Sequence, residues 1–165
     1  MRRMAIALSA AVLLISAGLS AQAPNFAGKW TLVPDPNAAA GGGGKGGRGG
    51  GGGGFCGMEC TITQDAKTLT VVRTTQAGEQ KAVYNLDGSD SKNSVPGRQG
   101  GAPTEVVSKA TVAGGKVTIT STREFNGNQI KTSQTLSLDA GNMVIETSTD
   151  MGQGPQTTKQ TFKKG

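Results

Sequence analysis

From residue 24 onward the chain alternates apolar and polar side chains with a period of two, in short runs divided by Gly, Asn and Asp. The run Lys116–Phe125 shows it well. One parity holds Val117, Ile119, Ser121, Arg123 and Phe125, and the other holds Lys116, Thr118, Thr120, Thr122 and Glu124. Side chains on a strand point to opposite faces in turn, so this pattern marks a strand with one buried face. Gly114-Gly115, Asn126-Gly127, Asp139-Ala140-Gly141 and Gly152-Gln153-Gly154-Pro155 follow at a nearly constant step. These residue types suit tight hairpins, whose turns need a positive φ that β-branched residues resist. The pattern predicts strands over residues 104–112, 116–125, 129–138, 142–150 and 156–163, running as a meander.

The first half reads similarly but less regularly. Residues 28–33 form a strand, 60–63 and 68–75 a hairpin around Gln64-Asp65-Ala66-Lys67, and 80–86 a strand ending in a turn at Asp87-Gly88. Residues 89–103 hold two Pro with several Gly and Ser and read as a loop. The sum is about nine strands. No helical repeat of useful length occurs after the first two dozen residues.

Composition then selects the architecture. Val, Ile, Leu and Phe make up about one sixth of the chain after residue 23, below the level usual for a packed globule. A flat open sheet of this composition would be hard to stabilise, whereas closure removes the sheet edges. The expected fold is therefore all-β, an antiparallel up-and-down barrel of about 8–10 strands in a single domain spanning residues 24–165.

Residues 1–23 have the order of an export signal: Arg2 and Arg3, an apolar run from Met4 to Leu19, and the small-residue site Ala21-Gln22-Ala23. Cleavage falls after Ala21 or Ala23, and no transmembrane segment is expected in the mature chain. The destination is periplasmic or secreted. The chain carries 17 basic and 11 acidic residues. Loss of Arg2 and Arg3 with the signal leaves 15 against 11, a mild basic bias that suits attraction to anionic surfaces and is too weak for a nucleic-acid footprint.

Residues 37–55 form a glycine-rich segment inserted after the first strand, with only Lys45 and Arg48 interrupting the glycines from 41 to 54. Such a run has no preferred backbone state and is expected to be a flexible loop. A single-strand nucleic-acid role is rejected, because the run lacks repeated arginines and aromatics. Cys56 and Cys60 follow it, and in an oxidising compartment an even, close pair reads as a disulfide. A metal site would need further ligands, and the chain contains no His. The same absence removes His-based catalysis. The carboxylates Asp65, Glu105, Glu124, Glu146 and Asp150 fall in turns or on polar parities, so no enzyme is expected and no cofactor is implied.

Three polar side chains lie on parities that otherwise look internal: Arg73, which follows Leu69 and Val71; Tyr84, in step with Ala82 and Leu86; and Arg123. Read functionally, they line a cavity and hold an anionic group, because a guanidinium presents a planar fork to carboxylate or phosphate. The plainer reading, which the pattern favours, is that each sits near a strand end and reaches water, or that one packs under Trp30.

The segment Asn25-Phe26-Ala27-Gly28-Lys29-Trp30 contains the single Trp of the chain. It resembles the Gly-x-Trp first-strand signature of lipocalins and their relatives, the fatty-acid-binding proteins and avidins. Together with Tyr84 to Gly88 (Tyr-x-Leu-Asp-Gly), it also resembles small secreted lipocalin-like proteins of bacteria. The resemblance implies a barrel whose closed end is filled by Trp30, with Gly28 beside it, and whose mouth takes a small molecule under a lid between the first two strands. In lipocalins the Trp packs against an Arg from a late strand. Here the last strand offers Lys159 and Lys163, which leaves Arg123 as the expected partner. The implied function is that of an exported, non-enzymatic binding protein for a small amphipathic or anionic ligand. The alternative is an envelope interaction module with a filled barrel, binding a partner protein or anionic polymer through its basic surface.

Overall fold

The computed structural model describes residues 24–35, 54–75, 78–96, 101–125 and 127–165. The export signal at 1–23 and most of the glycine-rich segment lie outside the described residues. Ten antiparallel strands follow in chain order: β1 (Gly28–Val33), β2 (Glu59–Gln64), β3 (Thr68–Thr75), β4 (Gly78–Asn85), β5 (Asp87–Val95), β6 (Thr104–Ala113), β7 (Lys116–Phe125), β8 (Asn128–Asp139), β9 (Asn142–Asp150) and β10 (Pro155–Lys164). Their order in the sheet is β4-β3-β2-β1-β10-β9-β8-β7-β6-β5. The first strand thus pairs with the last, and the sheet curls until β4 meets β5. The result is a nearly closed up-and-down barrel, as the strand pattern predicts.

One expectation is corrected. Residues 89–103, read as a loop, contain most of β5, which raises the strand count from about nine to ten. The sequence of β5, Asp-Gly-Ser-Asp-Ser-Lys-Asn-Ser-Val, has no apolar alternation. It is extended because it pairs with β6 from Ser91↔Ser108 to Val95↔Thr104, after a register shift between Asp87 and Asp90. Its inward side chains are the polar Ser91 and Asn93, with Val95 at the mouth. Ser91 is buried, and its hydroxyl accepts from Asn85 N of β4 at 2.7 Å. No backbone ladder joins β4 to β5; side chains bridge that seam.

The closed end is packed with apolar side chains. Phe26, Trp30, Ile62, Leu69, Val117, Leu136, Met143, Ile145 and Phe162 are all at most 1% exposed, each burial of this kind giving on the order of 2 kcal/mol. Residues 24–27 cross beneath the barrel and are tied there. Gln64 Oε1 accepts from Phe26 N at 2.8 Å and Gln64 Nε2 donates to Pro24 O at 2.8 Å. Trp30 Nε1 donates to Phe26 O at 2.7 Å, so the indole fills the floor and leaves no buried donor unpaired.

The cation over Trp30 is Lys164, with Nζ 5.6 Å from the ring, and not Arg123, Lys159 or Lys163. Register explains this correction: Trp30 pairs directly with Lys164, while Lys163 pairs with Thr31 and points to the opposite face. Lys159 lies opposite Glu146, farther up β10, and Arg123 is at the other end of the barrel. Gly28 makes room for this cation. Its φ is +141°, and a Cβ there would come 2.6 Å from Lys164 Cε.

The turns at the closed end follow their sequences. Gly114 and Gly115 have φ of 56° and 72°, the double positive φ of a two-residue hairpin turn. Asp65 Oδ1 accepts from Lys67 N and Thr68 N, each at 2.7 Å, while its Oδ2 accepts from Thr68 Oγ1 at 2.8 Å. These bonds hold the carboxyl below the usual carboxylate range.

Candidate ligand cavity

Apolar packing stops about halfway up the barrel. Above it lies a cavity of about 330 Å³ that opens at the end where residues 96, 101–103, 127 and 151–154 adjoin the strands. The change in character is written in the inward parity of each strand. β3 goes from Leu69 and Val71 to Arg73, β7 from Val117 and Ile119 to Ser121 and Arg123, and β9 from Ile145 to Thr147 and Thr149. The strands therefore carry an apolar lower half and a hydroxyl- and amide-rich upper half on one face.

Arg73, Tyr84 and Arg123 all line this cavity, Arg73 and Tyr84 from neighbouring strands and Arg123 from β7. The two arginines are in different states. Arg73 is half-buried and spends its donors on neutral acceptors. Its Nε and Nη2 donate to Gln80 Oε1 at 2.9 and 2.6 Å, and its Nη1 donates to the carbonyl oxygens of Gly54 and Phe55. Burial pulls its guanidinium below the ordinary arginine value, opposed by the nearby Tyr84. Burial likewise pushes the Tyr84 phenol up, against the pull of Arg73. Arg123 is exposed at the mouth and has no hydrogen-bond or ion-pair partner among the described residues. Among the described residues no Asp or Glu lines the cavity, and none there neutralises either positive charge.

Residues the alternation did not single out complete the wall. Gln80 is buried and orients Arg73. Asn93 of β5 and Phe55 also line the space. Phe55 enters from the connection between β1 and β2, is 6% exposed, and stacks on Tyr84 with ring centroids 5.8 Å apart. Cys56 and Cys60 form a disulfide with a Cα separation of 5.0 Å, which ties this short loop to the start of β2. Leu32 N donates to Met58 O at 2.9 Å and fixes its other side to β1. A signal for Phe55 did exist in the sequence: it is the lone aromatic between Trp30 and Tyr84.

The architecture is a ten-stranded antiparallel up-and-down barrel with a Trp-filled floor and a cavity at the other end. Solved structures of this class resemble it. They include zebrafish ileal bile acid-binding protein complexed with cholic acid (20% identity, TM-score 0.54, 85% of this chain and 98% of that one). They also include the REP1-NXSQ fatty acid transporter (12%, 0.56, 84% and 95%) and lipid binding protein 8 of Caenorhabditis elegans (16%, 0.55, 85% and 95%). At these identities the likeness is one of fold. No protein-family model and no curated sequence matches the chain.

Proposed function

We propose that this protein is an exported, non-enzymatic carrier that holds a small anionic amphiphile in the mouth half of its barrel. The observation that carries the reading is charge: two guanidiniums face one cavity whose lining, among the described residues, contains no carboxylate. Arg73 is half-buried without a counter-charge among the described residues, a costly arrangement that an anionic ligand would relieve, and the exposed Arg123 stands at the mouth with donors to offer the same ligand. Phe55, Val71, Ala82, Val106 and Ile119 give the same space an apolar side, which suits the tail of an amphiphile. The structural neighbours whose names mention bile acid, fatty acid or lipid support a ligand of this general kind. Among the described residues the lining offers neither a carboxylate nor a thiol, and the chain has no imidazole, so none of these residues offers a general base to the Ser, Thr and Tyr hydroxyls. The export signal and the disulfide support a periplasmic or secreted location.

The test is native mass spectrometry on protein recovered from the periplasmic fraction, followed by denaturation to release bound molecules. The expected result is a bound small anion, held more weakly by the Arg123→Ala variant, on a chain beginning at Gln22 or Pro24. A clean ligand-free mass that takes up no added amphiphile would sink the carrier reading and favour the interaction module.

A further inference from the structure

We infer that the lumen face of β7, β8 and β9 reads hydroxyl groups, so that the anion held by the barrel carries several of them, as an alkyl-substituted uronic acid does. The inference rests on the carrier reading above and specifies its substrate class.

The register of three strands builds this wall. Ser121 pairs with Thr132, and Thr132 with Thr149, so three hydroxyls stand side by side in one inward row. One step toward the floor, Gln134 pairs with Thr147 and adds an amide and a further hydroxyl. All five side chains line the cavity. Neighbouring strands lie about 4.8 Å apart, and successive inward residues about 6.7 Å apart along a strand, which puts the five groups within reach of one small molecule. Each of the five residues is half-buried, yet among the described residues none of these side chains makes a hydrogen bond to the protein. No buried side-chain polar atom is sealed off without a partner, so these groups open onto the lumen. Gln80 and Asn93, in the same cavity, differ: their oxygens are already engaged by Arg73 and Val83.

The chemistry of the wall selects the ligand. A hydroxyl or a primary amide both donates and accepts. A bare carboxylate only accepts and an alkyl chain does neither, so either would displace water from these groups without replacing all its bonds. Ligand hydroxyls donate and accept, and they match the wall whichever way each bond runs. Charge is met one step nearer the mouth, where Arg123 follows Ser121 on the same face of β7 and has no partner among the described residues. Halfway round the ring of strands, Val71 of β3 and Ala82 of β4 offer an apolar contact from the opposite side. These three features together describe an oxyanion on a hydroxylated body with an apolar part.

The experiment is calorimetric titration with three ligands that share an octyl chain. Octyl glucuronide has hydroxyls and charge, octyl glucoside has hydroxyls alone, and nonanoate has charge alone. Wild type, Thr132→Val/Thr149→Val and Arg123→Ala are compared after circular dichroism and thermal melting have shown each to be folded. Valine keeps the shape of threonine and suits a strand. Wild type is expected to bind the glucuronide at least about tenfold more tightly than either other ligand, the scale of a few net hydrogen bonds. The double variant should lose the lead over nonanoate while binding nonanoate as wild type does, and Arg123→Ala should weaken both anions and spare the glucoside. If the double variant does not fold, Ser121→Ala carries the same comparison, with a lead roughly threefold smaller. Wild type binding nonanoate as tightly as the glucuronide, or a lead that survives loss of the hydroxyls, overturns the inference and leaves the carrier reading standing. If neither anion binds, or the glucoside binds as tightly as the glucuronide, the anionic-carrier reading falls and the inference falls with it.

Discussion

Asn93 pairs with Val83 as a peptide unit would: its side-chain Oδ1 accepts from Val83 N at 2.8 Å and its Nδ2 donates to Val83 O at 2.9 Å. Two strands that share no ladder are thereby joined by one amide, with Asn85 and Ser91 repeating the device one step lower. The seam obeys the rule that inward-lying backbone groups must find partners, while leaving β4 and β5 less firmly held than any other neighbouring pair.

Asn93→Ala removes both partners of Val83. The half-buried N–H and C=O are left to whatever water reaches them, and the expected loss is about 1–3 kcal/mol. Urea denaturation would measure it, and hydrogen exchange should show faster exchange at Val83 than at Val71, whose strand keeps ladders on both sides. An unchanged denaturation midpoint would show that Asn93 contributes nothing to closure.

At the floor, Trp30→Phe keeps most of the ring volume but removes the donor to Phe26 O. An acceptor left unpaired in this dry setting costs about 1–3 kcal/mol, whereas Trp30→Ala also opens a cavity and should cost about 3–5 kcal/mol. Gly28→Ala is expected to destabilise by more than about 1 kcal/mol, because its φ suits glycine and its Cβ would strike Lys164. In a Lys164→Ala background the clash disappears and the φ strain remains, so part of the Gly28→Ala cost should persist.

The two cavity arginines should separate in a paired measurement of stability and affinity. Arg123→Ala removes an exposed side chain that has no partner among the described residues, so the melting temperature should hold while affinity for an anionic ligand falls about tenfold, the scale of one charge-assisted hydrogen bond. Arg73→Ala frees the carbonyls of Gly54 and Phe55 and takes both donors from Gln80 Oε1. It should lower stability by about 1–3 kcal/mol and render the disulfide loop sensitive to proteolysis. Equal effects of the two substitutions on stability would contradict the assignment.

Stability should fall on the alkaline side through Tyr84. Burial raises its native value above the ordinary one of 10.0. As pH climbs past the ordinary value, the unfolded chain has released the phenol proton and the native barrel has kept it. The unfolded state then binds fewer protons, and stability decreases with rising pH. Tyr84→Phe should flatten that decline. On the acid side Asp65 works in the opposite sense. Its native value lies below 3.8, so its contribution is present above that pH and is lost as pH falls toward the native value, and Asp65→Asn should weaken the acid dependence. Denaturant midpoints measured across pH would display both flanks.

Much of the barrel was legible because its physics is local. Period-two alternation and paired turn residues are properties of neighbouring positions, so the meander of β6 to β10 and the hairpin of β2 and β3 could be read without knowing what they pack against. The inward parity of Arg73, Tyr84 and Arg123 was legible for the same reason: on a strand, alternation alone assigns the face. β5 was not legible. Its inward positions are Ser91 and Asn93, and its extended form comes from β6 and from side-chain bonds across the seam to β4.

By itself, then, the sequence determined the strand class, the turns of the meander, Gly28 and Trp30 of the closed end, and the disulfide pair that oxidising conditions favour. The turn it placed at Asp87-Gly88 falls instead at Leu86, with Asp87 and Gly88 in β5. Only the tertiary structure decided the contacts made by closure. β10 reaches β1 across the whole chain, and register there, not residue type, set Lys164 rather than Lys163 or Arg123 against Trp30. Phe55 stands in a loop by sequence, and it lies in the lumen because a disulfide, Arg73 and Tyr84 converge on it from separate strands. Such contacts join residues far apart along the chain, and their geometry exists only once the barrel has closed.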